Sequence, residues 1–225
     1  MSSDVAKNYI EVLEEVKSIN PNAQLVCVSK TKPISDLIEV FQVGGTVFGE
    51  NYVHEILEKA PLLPEAKFHM IGPVQGNKIP KLAALPNLEM VQTIDNSGHA
   101  LRLSSKRPQD LPRIKVLIQV NTSEEPSKNG LSDINEIVEL IKYIRSDCPM
   151  LEFRGLMTIG EIGEPERDFT KLIEVRNIAA ASVGDDPLSY DLSMGMSADY
   201  TIALKNGASI VRVGSKIFGP RIYNK

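Results

Sequence analysis

A closed, parallel (β/α)8 barrel is the α/β fold that this sequence predicts, and three observations predict it. About eight strand–helix units follow one another along 225 residues, with no change of composition and no linker between them. That length suits one barrel domain, taken as residues 1–225. No Gly-x-Gly-x-x-Gly follows the first strand, where an open dinucleotide-binding sheet would carry it.

The elements follow from spacing. Val5, Tyr9, Ile10, Val12, Leu13 and Val16, preceded by Ser2, Ser3 and Asp4 as caps, predict an extra amphipathic helix ahead of the first strand. Residues 25–30 form a β-branched-rich run bounded by turn signals and too short for a helix, which reads as a buried strand. Pro33 then sits where a helix accepts its first residue, Ile34, Leu37, Ile38 and Phe41 recur at helical spacing, and Gly44-Gly45 ends the helix. Residues 46–48 lead to Gly49-Glu50-Asn51 and a helix carrying Val53, Ile56 and Leu57. Residues 68–71 lead to Gly72 and Gln75-Gly-Asn-Lys78, then a short helix stopped by Pro86. Residues 88–91 lead to Thr93 and Asp95, with a helix from Ser97 through Leu101 and Leu103.

In the second half, residues 114–120 lead to Asn121 and a helix capped by Ser132, with Ile134, Ile137, Val138, Ile141 and Ile144 along one face. Residues 153–157 lead to Thr158 and a helix over about 166–181. Residues 188–192 lead to Ser193-Met194-Gly195 and a helix capped by Ser197 and stopped by Gly207. Residues 209–213 lead to Gly214-Ser215.

Composition excludes several function classes. A net charge of −4 and a pI near 5.5 leave no basic field for nucleic acid. No apolar run approaches the roughly 20 residues that span a bilayer, and the polar N-terminus lacks the apolar stretch of a secretion signal. The expected compartment is the cytoplasm, with a mitochondrial pool left open. Cys27 and Cys148 read as small core residues of a reduced protein. His54, His69 and His99 are dispersed and read as structural or surface residues, so no metal is expected.

In such a barrel the chemistry sits at the carboxyl ends of the strands. Lys30 stands at the end of the first strand, where burial would lower its pKa and make it a nucleophile toward carbonyls; the alternative is a side chain that snorkels to solvent. At the last two strand ends, Ser193-Met194-Gly195 before the Ser197-capped helix, and Gly214-Ser215, resemble phosphate-holding turns, or ordinary glycine turns. Strand alternation sets Arg212 opposite Val211 and Val213, so it needs either a planar acceptor in a ligand or a partner inside the protein. A Schiff-base lysine, a phosphate cradle and an inward arginine together describe a pyridoxal 5′-phosphate (PLP) site.

A family resemblance rests on seven motifs in order. They are Val28-Ser-Lys30-Thr-Lys32-Pro33, Phe48-Gly-Glu-Asn51-Tyr52, His69-Met-Ile-Gly72 with Gln75-Gly-Asn-Lys78, and Asn121-Thr-Ser with Ser127-Lys-Asn-Gly130. Arg154-Gly-Leu-Met157-Thr158, Leu192-Ser-Met-Gly-Met-Ser197 and Val211-Arg-Val-Gly-Ser215 with Phe218-Gly219 complete the set. Over residues 5–223 the chain resembles the PLP homeostasis protein family (YggS/PROSC type), itself similar to the N-terminal barrel of alanine racemase. Pro73-Val74 and Pro80 depart from the family pattern.

The resemblance implies a single TIM-barrel domain of the fold-type III PLP kind with the cofactor covalent on Lys30. Asn51 would lie near the ring, Arg212 at the ring nitrogen, and Ser193, Met194, Gly214 and Ser215 at the phosphate. Lys32 matches a second family lysine that helps deliver or receive the cofactor. The implied role is vitamin B6 homeostasis: PLP as ligand, apo PLP-dependent enzymes as possible recipients, a monomer or weak dimer, and no established turnover. An arginine at the ring nitrogen makes the ring a poor electron sink. Racemisation would need a second base, and too few residues follow Ser215 to build the domain that supplies it in racemases of this fold. A weak amino-acid racemase and a phosphosugar-handling barrel with a Schiff-base lysine are the alternatives.

Overall fold

Eight parallel strands pair in sequence order and close on themselves, the last against the first. They are β1 (Gln24–Val28), β2 (Val47–Glu50), β3 (Lys67–Met70), β4 (Leu88–Ile94), β5 (Ile114–Gln119), β6 (Leu151–Met157), β7 (Asp191–Ser193) and β8 (Ile210–Val213). Around them lie α1 (Asp4–Ile19), α2 (Ile34–Gln42), α3 (Val53–Lys59), α4 (Ile79–Ala83), α5 (Ser97–Lys106), α6 (Ile134–Asp147), α7 (Pro165–Val183), α8 (Tyr200–Lys205) and α9 (Ser215–Phe218). This computed structural model describes residues 4–123, 128–161 and 163–220. The expected caps Ser2 and Ser3, and Ser127 of the fourth motif, lie outside the described residues. No helix among the described residues is long and apolar enough to cross a membrane.

Period-two alternation divides the core in two. Val26, Val47, Met90, Leu117, Met157 and Ile210 point inward and fill the barrel. The opposite faces, including Cys27, Phe48, Phe68, Val116 and Val211, pack under the helices. Closure sets Val26 beside Arg212 and Cys27 beside Val213. Cys27 and Cys148 are both buried thiols, and burial pushes the Cys148 thiol up to about 11.

Three boundaries differ from the sequence reading, each for a local reason. Residues 188–190 do not begin the seventh strand. The Asp186 carboxylate accepts the Leu188 N–H, Pro187 opens a 3₁₀ turn, and Leu188 is 78% exposed. Ser132 does not cap α6; Asp133 does, accepting the Asn135 N–H at 2.7 Å. Ser197 does not cap α8, which starts at Tyr200; its hydroxyl accepts the Gly214 N–H at 3.1 Å.

Candidate functional site

At the carboxyl ends of β1, β2 and β8 lies a cleft of about 350 Å³ lined by Lys30, Lys32, Asn51, Arg212, Gly214 and Ser215. Ile71, Ile159, Met196, Ser197 and Ala198 complete most of its wall. The first and last strands are sequence-distant but adjacent through closure, which is how Lys30 and Gly214-Ser215 come to share one opening.

Lys30 follows β1 by two residues, on a turn held from behind. The Lys59 ammonium donates to Ser29 O at 2.8 Å, to Glu50 Oε1 at 2.8 Å and to Glu55 Oε2 at 2.6 Å. Glu55 Oε2 also accepts the Thr31 N–H at 2.7 Å, and Thr31 has a left-handed φ of 63°. A β-branched residue rarely adopts that conformation, so the turn carries strain beside the lysine. Ser29 Oγ donates to Glu50 Oε1 at 2.7 Å. Burial pushes the Glu50 carboxyl up to about 7, against the pull of Lys59.

Asn51 directly follows β2, and its Oδ1 is buried with no hydrogen-bond partner among the described residues. Gly72 lets this strand end approach β3: a Cβ there would lie 2.2 Å from Asn51 O. The Gly72 carbonyl in turn accepts the Thr93 hydroxyl at 2.8 Å.

Arg212 points into the barrel and is 4% exposed. Its Nη1 donates to Ser193 Oγ at 2.6 Å and its Nη2 to Thr158 O at 2.8 Å. Burial lowers its pKa to about 10, with Asp199 opposing, so it is cationic at neutral pH. Arg212 therefore has partners inside the protein and still lines the cleft.

Ser193 and Met194 do not line the cleft. The Ser193 hydroxyl is occupied by Arg212 and by Gln92 Oε1, 2.6 Å away, and the Met194 N–H donates to Ile210 O at 3.2 Å. Both residues are wholly buried. The serine that faces the cleft beside Gly214 and Ser215 is Ser197, which sequence reasoning assigned to a helix cap. Gly195, with φ of 92°, makes the turn between the two serines, where a Cβ would meet Ala203 Cβ at 2.5 Å.

Lys32 also lines the cleft, with its ammonium on the chain's carboxyl side: Nζ donates to Phe218 O at 2.7 Å and Pro220 O at 3.0 Å. His69 lies inside the barrel, and Asn96 caps α5 through the His99 N–H, so neither histidine enters the cleft.

Residues 4–221 match the family model described as "Alanine racemase, N-terminal domain". A Bos taurus protein named pyridoxal phosphate homeostasis protein is 43% identical over 224 residues, covering 94% of this chain and 81% of that one. Its Homo sapiens counterpart, of the same name, is 42% identical over 94% of this chain and 80% of its own. PipY of Synechococcus elongatus PCC7942, solved with PLP bound, superposes with a TM-score of 0.80 at 27% identity, covering 96% of this chain and 100% of that one.

Proposed function

This chain belongs to the pyridoxal phosphate homeostasis protein family, and we propose that it holds PLP in the cleft, covalently through Lys30, to store the cofactor and hand it on. The carrying observation is that one 350 Å³ cleft gathers the Lys30 amine, the Arg212 guanidinium and the Gly214-Ser215 turn. Names and bound ligands of the relatives support the cofactor's identity.

The donor set fits such a guest. Lys30 supplies an amine, Ser197 and Ser215 supply hydroxyls, and the Asn51 Oδ1 is a buried acceptor without a partner among the described residues. Leaving such an acceptor unpaired costs about 1–3 kcal/mol, which a bound donor would recover. When bound, PLP supplies an aldehyde that condenses with an amine and a ring that withdraws electrons. Lys30 would form the covalent link, Ser197, Gly214 and Ser215 would hold the phosphate, and Arg212 would sit at the ring nitrogen. A cationic Arg212 disfavours a proton on that nitrogen.

The same lining argues for a carrier over a racemase. Among the described lining residues the ionisable side chains are Lys30, Lys32 and Arg212, all cationic types. Racemisation asks for bases on both faces of the substrate carbon, and Lys32 is committed to two backbone carbonyls.

The test is borohydride reduction of protein purified with PLP, followed by peptide mapping. The label is expected on Lys30 and absent from Lys30→Ala, whose circular-dichroism spectrum is unchanged because a turn lysine contributes little packing. A label elsewhere overturns the attachment. Mixing loaded protein with apo PLP-dependent enzymes is expected to move the cofactor faster than release into solution does. Robust Lys30-dependent deuterium exchange at the α-carbon of L-alanine would restore the racemase reading.

A further inference from the structure

A single file of hydrogen bonds runs through the barrel from the cleft to its opposite end. Arg212 Nη1 donates to Ser193 Oγ at 2.6 Å, and Ser193 Oγ donates to Gln92 Oε1 at 2.6 Å. Gln92 Nε2 then lies 3.0 Å from His69 Nδ1, and His69 Nε2 lies 3.1 Å from Glu89 Oε2. Lys67 and Lys115, near the amino ends of β3 and β5, each place Nζ 3.1 Å from Glu89 Oε1. Arg212 is near the carboxyl end of β8, so the file joins the two faces of the molecule.

Chemistry at the two ends forces one direction on every link. Arginine has only donors, so Ser193 must accept from it and pass its own proton to Gln92. The Gln92 amide then donates to His69 Nδ1, which makes Nε2 the protonated nitrogen and aims it at Glu89. Burial works against the Glu89 charge, yet bonds from His69, Lys67 and Lys115 hold its carboxyl well below the usual range. Burial lowers the His69 pKa and keeps the ring neutral. The four inner links Arg212, Ser193, Gln92 and His69 are at most 4% exposed. Aligned donors in a dry interior polarise one another.

We propose that Gln92 and His69, anchored by Glu89, are positioning residues for Arg212, fixing through Ser193 which way the guanidinium faces and how strongly it donates into the cleft. None of the three lines the cleft. A core filled by apolar side chains would be drier and simpler than this file. A buried, one-directional network of this kind favours a single side-chain orientation. The cofactor arm of this proposal rests on the PLP reading above; the Arg212 arm does not.

The experiment compares wild type with Gln92→Leu, and Ser193→Ala with Ser193→Thr. In cofactor-free protein, nitrogen NMR of the Arg212 guanidinium is expected to show hindered rotation in wild type and Ser193→Thr, and rotation at least severalfold faster in Gln92→Leu and Ser193→Ala. Equal rotation in all four overturns the proposal. With PLP added, Gln92→Leu is expected to shift the visible absorption band and to weaken retention about tenfold, the scale on which outer partners tune an inner ligand. An unshifted band with wild-type retention also overturns it. Should Gln92→Leu fail to fold, the Ser193 pair gives the same two readouts. Should wild type take up no PLP, the functional reading fails while the guanidinium measurement still judges the relay.

Discussion

Lys59 and Ser29 are joined across thirty positions of chain: the lysine ammonium donates to the serine carbonyl at 2.8 Å, one residue before Lys30. The same ammonium binds Glu50 and Glu55, and Glu55 holds the N–H of Thr31, one residue after Lys30. Both neighbours of the proposed attachment lysine are thus fastened to one buried ion cluster. Lys59→Met leaves two carboxylates and a carbonyl without their shared cation. Removing one partner of a buried pair costs about 3–5 kcal/mol, so urea unfolding is expected to show a loss of that size. Borohydride labelling of Lys30 at saturating PLP is expected to slow severalfold. Wild-type stability in this variant would show that the cluster is not holding the turn.

Glu50 gives the cluster a pH signature. Its carboxyl is raised to about 7 from an ordinary 4.5, so the folded state binds the proton more tightly than the unfolded chain. By linkage, the stability gained from that proton is full below pH ~4.5 and is lost as pH rises through about 7. Glu50→Gln removes the dependence. His69, whose pKa is lowered by burial, acts in the opposite sense below its ordinary value of 6.5. The difference in melting temperature between wild type and Glu50→Gln isolates the Glu50 contribution. Relative to the variant, wild type is expected to lose stability steadily from pH 5 to pH 7.5; a flat difference would place the Glu50 pKa in the normal range.

Thr31 is held at φ 63°, a region that asparagine tolerates and a β-branched residue does not. Thr31→Asn keeps the N–H that Glu55 accepts and avoids the added chain entropy of glycine. A gain of about 1 kcal/mol is expected by thermal unfolding. Destabilisation would mean that the threonine side chain has a packing role that outweighs its strain.

How much of this was legible in the sequence depends on whether the signal was local. The barrel was, because strand and helix periods alternate through the whole chain; strand ends placed Lys30, Asn51, Gly214 and Ser215 at the mouth, and alternation turned Arg212 inward. Ser193 and Met194 were assigned to the phosphate from a small-residue turn at a strand end and from the family resemblance, and neither signal says which partner an inward hydroxyl meets. Ser193 meets Gln92, 101 positions away. Lys59 drew no reading from the sequence, because what makes it matter is its long-range bond to Ser29 O and its burial against Glu50. His69 inside a strand was the one local hint of the polar file, and it pointed to a structural role without showing the partners.

Arg212 tests whether the cleft's cation also holds the barrel together. Its two bonds reach Ser193 Oγ and Thr158 O. Arg212→Glu sets a carboxylate against the Thr158 carbonyl, so it combines loss of a donor with repulsion. Arg212→Gln retains an amide donor for one of the two acceptors. The glutamine variant is expected to lose about 1–3 kcal/mol and the glutamate variant more, as read by urea unfolding. With PLP added, the glutamate variant is expected to raise the ring nitrogen's proton affinity and move the visible band. An unmoved band with occupancy retained would mean that Arg212 does not face the ring.

Lys32 has partners that the sequence did not show. The family resemblance implies a second lysine that helps deliver or receive the cofactor, and here its ammonium donates to the carbonyls of Phe218 and Pro220 at 2.7 and 3.0 Å. Phe218 ends α9 and Pro220 lies just beyond it, and the Ile217 carbonyl of the same helix accepts the Asn8 amide at 3.2 Å. Gly219, between the two tethered carbonyls, is part of the cleft wall. The lysine therefore fastens the carboxyl-side segment across the cleft's edge, and hydrogen bonds from a charged donor are worth about 1.5–3 kcal/mol each. Lys32→Met removes both bonds while keeping the aliphatic stem. Amide exchange at residues 217–219 is expected to accelerate at least tenfold. PLP loaded on Lys30 is expected to reach an apo-enzyme trap severalfold sooner, with the borohydride label still on Lys30. Loss of the label from Lys30 itself would make Lys32 part of the binding step; unchanged exchange and transfer would show that the segment stays in place without it.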